Sequence, residues 1–241
     1  FTRAGIPVKE GYGLTETSPV ISFNRFEPGG TIFGTVGIPI PSVEVRIDSP
    51  DGEGQGEILV RGPNVMMGYF NQDELTKTRI SEDGWFSTGD VGQFVHERFL
   101  KITDRKKDIF KASSGQYIYP TAIENAVRIR ESIDQCMVVG FQRSHVVLLI
   151  IPNFLFLKSW CKRHQIHWTA ELYMVENDRV KSFYESEIAK INEGLKSHEK
   201  IRGFKLLSVP WSVDTGEYTP TLKLRRSVIH EKYRAEIDKL Y

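Results

Sequence analysis

A run of five charged residues, Asp-Arg-Lys-Lys-Asp at positions 104–108, constrains the fold of this chain more than any other feature. Residues of this kind do not enter a hydrophobic core, and such a run is typical of an exposed joint between two cores. The composition and the residue pattern also change there, because Gly and Pro are frequent before the run and helical patterns are frequent after it. A chain of 241 residues can bury one large core or two modest ones. The sequence therefore predicts two domains, residues 1–104 and residues 105–241.

The first predicted domain is mostly β-structure. Apolar and polar residues alternate at 43–47 and 57–61, and the glycine-rich segment between these runs predicts a hairpin. Two further strands are expected at 91–95 and 99–103, joined by a tight polar connection. Residues 73–80 have no clear period, so they fit either a short helix or an ordered loop.

The second predicted domain mixes strands and helices in one small unit. Pro120 is well placed for the first turn of a helix, which is expected to continue to about Arg130. Further helices are expected at 154–164, at 178–195 and from about Arg226. Apolar strands are expected near Ile109 and at 117–119, 136–141, 146–151 and 204–209. This mixture predicts an α+β fold.

Charge and composition exclude several classes of protein. The chain has 32 Lys and Arg against 31 Asp and Glu, a formal net charge of +1, so it lacks the overall positive field that attracts nucleic acid or an anionic bilayer. Hydrophobic residues make up 40% of the chain, which argues against a largely disordered protein. We therefore expect no nucleic-acid partner, and any site for a polyanion must be local.

Three further features bear on the setting of the chain. Its two cysteines, Cys136 and Cys161, are too few for a disulfide-rich scaffold, so a cytoplasmic location is expected. The longest apolar run, 146–151, is far shorter than the roughly 20 residues that a membrane-spanning helix needs. The chain begins at Phe1 rather than at Met, and we expect it to be a piece of a longer protein.

Two segments of the first domain could carry chemistry. Glycines in residues 10–17, Glu-Gly-Tyr-Gly-Leu-Thr-Glu-Thr, let the backbone approach a ligand, and Tyr12 could stack on a base. Thr15 and Glu16 could hold Mg²⁺ through oxygen. In the second segment, residues 84–91, Asp90 could accept hydrogen bonds from a vicinal diol such as that of a ribose. Taken alone, the first segment fits a glycine-rich turn better, and Asp90 fits a loop residue that bonds nearby backbone N–H groups.

Two segments of the second half complete the set. Residues 104–124 combine fixed cations with a Ser-Ser-Gly turn and a helix start, and residues 217–226 place Lys223 in a loop before the last helix. Taken alone, the former fits a solvated surface patch better than a nucleic-acid footprint, because acidic residues interrupt the cations and no interleaved aromatics follow. Taken by itself, Lys223 is better explained as an ordinary surface lysine.

In this order and spacing the four segments resemble the adenylate-forming superfamily, which includes acyl-CoA synthetases, luciferase-type enzymes and the adenylation domains of peptide synthetases. The sequence Thr-Pro-Thr-Leu-Lys-Leu at 219–224 is similar to that of long-chain fatty acyl-CoA synthetases, since most other branches have Asn-Pro-x-Gly-Lys there. The resemblance covers essentially the whole chain. It implies an α/β fold overall, in which a β-rich, barrel-like tail of a large AMP-binding domain precedes a small, mobile α+β domain.

The resemblance also implies roles for individual residues. In the nucleotide site, Tyr12 and Gly13 are expected to contact the adenine side. Thr15 is expected to contact the α-phosphate region, and Glu16 is expected to bind Mg²⁺. Asp90 and Arg105 are expected to bind the ribose hydroxyls from the two sides of the domain joint. In the mobile domain, the expected roles are Lys107 as the hinge, Lys223 as the catalytic cation of the first half-reaction, and Ser114 and Gly115 as the face of the CoA tunnel. Thr15 and Glu16 are counted with Lys223 among the catalytic residues.

The implied reaction uses a fatty acid, ATP with Mg²⁺, and CoA, and it passes through acyl-AMP and pyrophosphate. The upstream phosphate-binding loop and acyl pocket of such enzymes are absent from these residues, so this piece is expected to be inactive alone and to need the N-terminal half of the same enzyme. Two positions depart from the family pattern, because Leu222 replaces the usual glycine and Ser114 stands where many relatives have Gly.

Two alternatives stay open at this point. One is another adenylate-forming acid–thiol ligase that acts on a short or aromatic acid, and the other is an interaction module that kept the fold and lost the chemistry. Association of the parent protein with a membrane surface and its oligomeric state are also open.

Overall fold

Residue contacts divide the chain into two units, Phe1–Lys107 and Asp108–Tyr241. The structure is a computed structural model, and it describes residues 4–111 and 115–241. The sequence predicts the joint after Asp104, whereas the contacts place it after Lys107. The last strand of the first unit continues through Arg105, and the N–H of Lys106 donates to the carbonyl of Gly89 at 2.9 Å. These bonds hold residues 105 and 106 to the first unit.

Two antiparallel sheets form the first unit. The three-stranded sheet contains β1 (Gly11–Gly13), β2 (Val20–Phe23) and β3 (Ile38–Pro39). The four-stranded sheet contains β4 (Glu44–Asp48), β5 (Gly56–Arg61), β6 (Phe86–Val95) and β7 (Phe99–Arg105), paired in that order. Helix α1 (Asp73–Arg79) precedes β6 and settles the choice left open by the sequence. The buried core comprises Ile21, Val43, Ile58, Val60 and Leu100.

The predicted hairpin is confirmed, since β4 and β5 pair in register from Glu44 opposite Arg61 to Asp48 opposite Glu57. The predicted strands at 91–95 and 99–103 are also confirmed, although β6 begins five residues earlier. The barrel-like expectation is wrong for the part of the chain that the structure describes, where no barrel closes. The reason is that β4 and β7 are the two edges of an open sheet, which meets the three-stranded sheet through an isolated bridge between Gly37 and Leu100.

The second unit is built around a three-stranded sheet. Strand β10 (Ile133–Val139) pairs antiparallel with β11 (Val146–Pro152), and β11 pairs parallel with β12 (Ile201–Leu206). A small ribbon of β8 (Phe110–Lys111) and β9 (Tyr117–Ile118) precedes this sheet. The helices are α2 (Pro120–Arg128), α3 (Phe154–Arg163), α4 (Glu171–Met174), α5 (Asp178–Asn192), α6 (Arg226–Lys232) and α7 (Arg234–Asp238). The α+β expectation for this part of the chain is therefore confirmed.

Strand β11 separates two hydrophobic cores. All seven of its residues are buried, and successive side chains of a strand point to opposite faces. Val146, Leu148 and Ile150 join the core that contains residues of α2, α3 and α5. Val147, Leu149 and Ile151 join the core that contains residues of α6 and α7. A strand covered on both faces reads as a continuous apolar run, and this explains why residues 146–151 stand out in the sequence.

The helix ends follow local sequence signals. Asn153 and Asn177 cap α3 and α5, because each side-chain oxygen accepts from a backbone N–H of the first turn. The helix expected from Arg226 is interrupted at Tyr233 and forms the two short helices α6 and α7. Among the described residues, no helix combines the length and the apolar character needed to cross a membrane.

Candidate active site

A bulge in β6 presents Asp90. Glu57 of β5 lies opposite Val91, but Leu59 lies opposite Ser87, so the single residue Ile58 faces three residues of β6. The hydroxyl of Thr88 closes the bulge by donating to the Ile58 carbonyl at 2.8 Å and accepting from the Asp90 N–H at 3.1 Å. Bulges re-aim side chains and are frequent beside active sites. The sequence placed Asp90 at the start of a strand, whereas it lies inside β6.

Three of the predicted site residues meet at Asp90. The Tyr12 hydroxyl donates to Oδ2 of Asp90 at 2.7 Å, and Nε of Arg105 lies 3.2 Å from Oδ1. Asp90 and Arg105 are also paired across β6 and β7. The Asp90 side chain is 8% exposed, whereas that of Arg105 is 41% exposed. An ionised carboxylate has about four acceptor positions, so the two protein contacts leave capacity for a ligand diol.

Burial widens the pH range over which the Tyr12 phenol is protonated. Desolvation, with the neighbouring Asp90 carboxylate as the next cause, raises the pKa of the Tyr12 phenol far above its ordinary value. The phenol therefore stays a hydrogen-bond donor at every physiological pH. Its ring packs on the core of the first unit, so both the position and the protonation of the hydroxyl are fixed.

The sequence interpretation missed a carboxylate that supports the bulge. Glu57 Oε1 accepts from the Gly89 N–H at 3.2 Å, and its Oε2 pairs with the Lys106 ammonium at 2.5 Å. The Glu57 side chain is only 9% exposed. Because Glu57 lies 49 residues from Lys106, no local pattern signals this contact, although both residues lie in segments that resemble the family.

Glu16 lies in a single 3-10 turn, Thr15–Thr17, that follows β1. The Tyr69 hydroxyl donates to its Oε1 at 3.0 Å, and the Met66 N–H donates to its carbonyl at 2.8 Å. Burial and the bond to Glu16 both raise the pKa of Tyr69. Tyr69 therefore orients the Glu16 carboxylate, a second contact that the sequence interpretation missed.

The donors around Glu16 suit a hard cation. Within the described ranges no hydrogen bond or ion pair engages its Oε2, and the neighbouring Thr15 is exposed and carries a hydroxyl. Mg²⁺ is usually held by one or two carboxylates together with waters and substrate phosphates. The described residues contain no group of three or more His, Cys, Asp and Glu side chains that could cage a metal ion. This set therefore fits Mg²⁺ that arrives with a polyphosphate, and Glu16 would supply its protein oxygen.

Gly13 is required by the packing of β1. A Cβ at this position would lie 1.6 Å from the carbonyl oxygen of Pro19. The register of β1 and β2 also shifts between Tyr12 and Gly13. The glycine thus lets the turn that carries Thr15 and Glu16 fold tightly against β2.

The second unit carries Lys223 in a tight hairpin loop. Tyr218 and Leu224 form an isolated bridge, the Thr219 N–H donates to the Lys223 carbonyl at 2.9 Å, and the Leu222 N–H donates to the Thr219 carbonyl at 2.8 Å. Leu222 has a φ of 57°, the left-handed conformation that a glycine adopts without strain. Lys223 is exposed, and no ion pair joins its ammonium to a carboxylate of the described residues.

Two of the remaining predicted residues, Gly115 and Lys107, are among the described residues. Gly115 is exposed, has a φ of 80°, and has no atom within 4 Å of the position of an added Cβ. Ser114 lies outside the described residues, and Lys107 is the exposed last residue of the first unit. The structure thus brings Tyr12, Asp90 and Arg105 into direct contact and places Lys223 on an ordered loop.

Comparison with known sequences agrees with this arrangement. The AMP-binding enzyme family matches residues 1–70, and the AMP-binding enzyme C-terminal domain family matches residues 107–241. The chain is 35% identical over 251 residues to human long-chain-fatty-acid–CoA ligase 6, covering 100% of this chain and 36% of that protein. It is 34% identical over 242 residues to the ligase FadD15 of Mycobacterium bovis, covering 100% of this chain and 39% of that protein. The chain therefore spans little more than a third of the length of the curated relatives it matches.

Solved structures share the fold. The A domain of carboxylic acid reductase from Segniliparus rugosus, in complex with AMP and a co-purified carboxylic acid, matches with a TM-score of 0.76 at 24% identity, covering 98% of this chain and 35% of that one. The O-succinylbenzoate coenzyme A synthetase of Bacillus subtilis, in complex with ATP and magnesium ion, matches with a TM-score of 0.68 at 24% identity, covering 94% of this chain and 42% of that one. Because the C-terminal domain family alone covers more than half of the residues, the chain belongs to the AMP-binding, adenylate-forming enzyme family.

Proposed function

We propose that this chain is the C-terminal part of a long-chain fatty acid–CoA ligase, which activates a fatty acid with ATP and then transfers the acyl group to CoA. The observation that carries the proposal is the cluster at Asp90. A buried carboxylate is held by the Tyr12 hydroxyl at 2.7 Å and by Arg105 at 3.2 Å, beside an aromatic ring. This set supplies what a nucleoside needs, namely a ring for the base and a charged acceptor for the ribose hydroxyls.

In the first half-reaction, a carboxylate oxygen of the fatty acid attacks the α-phosphorus of ATP. The bond from this phosphorus to the oxygen that bridges to the β-phosphate breaks, and acyl-AMP and pyrophosphate form. Both reactants are anions, so positive groups must offset the charge at the reacting centre. Lys223 and Thr15 are the groups of this chain assigned to the carboxylate and the α-phosphate. Mg²⁺, held through Glu16, would supply Lewis-acid stabilisation of the phosphates.

In the second half-reaction, the thiol of CoA loses its proton to solvent and its sulfur attacks the acyl carbon. The bond from this carbon to the phosphate oxygen breaks, and AMP leaves with that oxygen. The loop that carries Lys223 would obstruct the thiol, so one rigid arrangement does not serve both steps. Rotation at Lys107 would withdraw Lys223 and bring up the face at Gly115, where a residue without a side chain leaves room for pantetheine. Ser114 is assigned to the same face.

The substrate class is proposed from two observations. The curated relatives reported above are named as long-chain-fatty-acid–CoA ligases and match the whole of this chain. The loop sequence Thr-Pro-Thr-Leu-Lys-Leu, in place of Asn-Pro-x-Gly-Lys, supports the same branch. The acyl pocket and the phosphate-binding loop are assigned to the upstream half of the parent enzyme. We place the parent enzyme in the cytoplasm, a setting that suits two free, buried thiols.

The proposal is tested on the upstream-extended parent chain by fatty-acid-dependent ATP–pyrophosphate exchange. Acids of short, medium and long chain and an aromatic acid are compared, and CoA-dependent thioester formation is measured in parallel. Exchange that is greatest with long-chain acids is expected. Lys223→Ala is expected to reduce exchange by about 100-fold or more, because it removes a preorganised charge at the reacting centre.

The matched control is Lys239→Ala, which removes another exposed lysine of the second unit and should leave exchange unchanged. Exchange that is greatest with a short or aromatic acid would reassign the substrate to another acid–thiol ligase. No exchange with any acid would overturn the synthetase proposal and favour a non-catalytic interaction module.

A further inference from the structure

A buried carboxylate lies at the base of the loop that carries Lys223. Glu217 is completely buried, and its Oε1 pairs with the ammonium of Lys232, on α6, at 2.5 Å. Its Oε2 accepts from the Thr215 hydroxyl and, at 3.4 Å, from the Ser212 N–H. A buried carboxylate is costly unless it is paired and hydrogen-bonded, and here both oxygens of the group have partners.

The backbone of the same residue closes the loop. The N–H of Arg225 donates to the Glu217 carbonyl at 2.8 Å, immediately outside the bridge between Tyr218 and Leu224. Glu217 thus begins the hairpin, and its main chain is bonded to the residue that ends it. Lys223 lies two residues before that end.

The side-chain pair ties the loop to the helix that follows it. Lys232 lies on the last turn of α6, and Ile229 of this helix is buried in the core of the second unit. Burial by itself raises the pKa of Glu217, but hydrogen bonds from Lys232 and Thr215 outweigh burial and hold the pKa below its usual value. The carboxylate is therefore charged at neutral pH, and the start of the loop is fixed to a helix anchored in the core.

We propose that Glu217 is a positioning residue that fixes the base of the 218–224 loop and so sets the place of the Lys223 ammonium. The inference rests on the proposed function, because it concerns the half-reaction assigned to Lys223. It follows that Glu217 matters for formation of acyl-AMP and not for the later attack of the thiol.

The test uses Glu217→Gln in the parent enzyme, with the two half-reactions measured separately. The glutamine keeps the shape and the Thr215 contact but removes the charge that holds Lys232. Pyrophosphate exchange is expected to fall by about 10- to 100-fold, because a misplacement of roughly 1 Å can cost about 100-fold in rate. Thioester formation from supplied acyl-AMP is expected to stay within about twofold of wild type, a split that general loss of structure would not give.

Hydrogen exchange supplies a readout besides activity. The loop amides of Leu222 and Arg225 are expected to exchange faster in Glu217→Gln, while the amides of β11 keep their protection. Lys232→Gln removes the same pair from its exposed side. Like Glu217→Gln, it is expected to lower pyrophosphate exchange and to leave thioester formation near wild type. If Glu217→Gln fails to fold, Lys232→Gln still tests whether this ion pair positions Lys223.

The matched control is Glu187→Gln, which removes a comparable pair, Glu187 with Lys190 at 2.8 Å on α5, and should leave the ratio of the half-reactions unchanged. Equal loss of both half-reactions would show a purely structural role and overturn the proposal, as would no change in either. Absence of exchange in the wild-type parent would instead contradict the proposed function, so the two failures are distinguishable.

Discussion

Single side chains in this protein act through partners that are remote in the sequence. Asp90 is separated by 78 residues from Tyr12, and Glu16 is separated by 53 residues from Tyr69. Each pair joins a carboxylate to a phenol whose pKa is raised by burial. The phenol supplies one hydrogen bond, Arg105 also contacts Asp90, and acceptor positions of each carboxylate are left for a ligand. The same chemistry thus prepares the proposed ribose site and the proposed magnesium site.

Asp90→Asn should weaken nucleotide binding by about 10- to 100-fold. A hydrogen bond to a charged acceptor contributes about 1.5–3 kcal/mol, and an amide replaces one acceptor oxygen with a donor. Isothermal titration of the parent enzyme with ATP measures the change. Asp83→Asn, which alters an exposed aspartate bonded to Ser81, is the control and should bind ATP like wild type. Equal affinity in Asp90→Asn would exclude Asp90 from the nucleotide site.

At the scale of elements, the β6 bulge links strand pairing to the site. Gly89 has a φ of 76° within the bulge, and an added Cβ would approach Arg79 no closer than 3.5 Å. A larger residue at position 89 would therefore not clash with its neighbours. It would be disfavoured because of the positive φ. A residue with a Cβ in the left-handed region costs about 1–2 kcal/mol, so the bulge should shift when Gly89 is replaced.

Gly89→Ala is expected to lower ATP affinity by roughly 5- to 30-fold, as about 1–2 kcal/mol of strain is relieved by moving Asp90. Titration calorimetry and thermal unfolding of the parent enzyme are measured together. Gly52→Ala serves as the control, because Gly52 has open space around it and no positive φ. An unchanged affinity in Gly89→Ala would show that the bulge does not position Asp90.

The elements themselves could be predicted from the sequence to the extent that their signals are local. The hairpin of β4 and β5, the apolar run of β11 and the helix start at Pro120 all depend on neighbouring residues, and all are confirmed. The bulge depends on the register between two strands, and no local pattern encodes it. Glu57 and Tyr69 escaped prediction because their partners lie 49 and 53 residues away in the sequence. Glu217 escaped prediction because its partner, Lys232, lies on the helix that follows the loop. The roles of Tyr12 and Asp90 were predicted from the order of the motifs.

A buried ion pair holds α6 to the sheet of the second unit. Glu124 of α2 is 2% exposed, accepts from the Val138 N–H at 2.9 Å, and receives two bonds from Arg226 at 2.5 and 2.9 Å. Removing one partner of a buried pair typically costs about 3–5 kcal/mol. Glu124→Gln should therefore lower the free energy of unfolding of this unit by about 3 kcal/mol, measured as faster hydrogen exchange of the β11 amides. Glu231→Gln, which breaks the exposed pair with Arg234, should leave those rates unchanged.

At the scale of the whole molecule, the proposed reaction assigns two arrangements to two units joined at Lys107. Proline fixes its own φ and restricts the residue before it, so Lys107→Pro should hinder rotation while it leaves the side chains of Tyr12, Asp90 and Lys223 unchanged. We expect pyrophosphate exchange to stay within about threefold of wild type and thioester formation to fall by at least about 10-fold. Lys107→Ala removes the same charge but keeps the backbone free, and both half-reactions should survive in it. If Lys107→Pro slows neither half-reaction, or slows both by the same factor as Lys107→Ala, then Lys107 is not the hinge and the alternation between the two steps must be accomplished elsewhere in the chain.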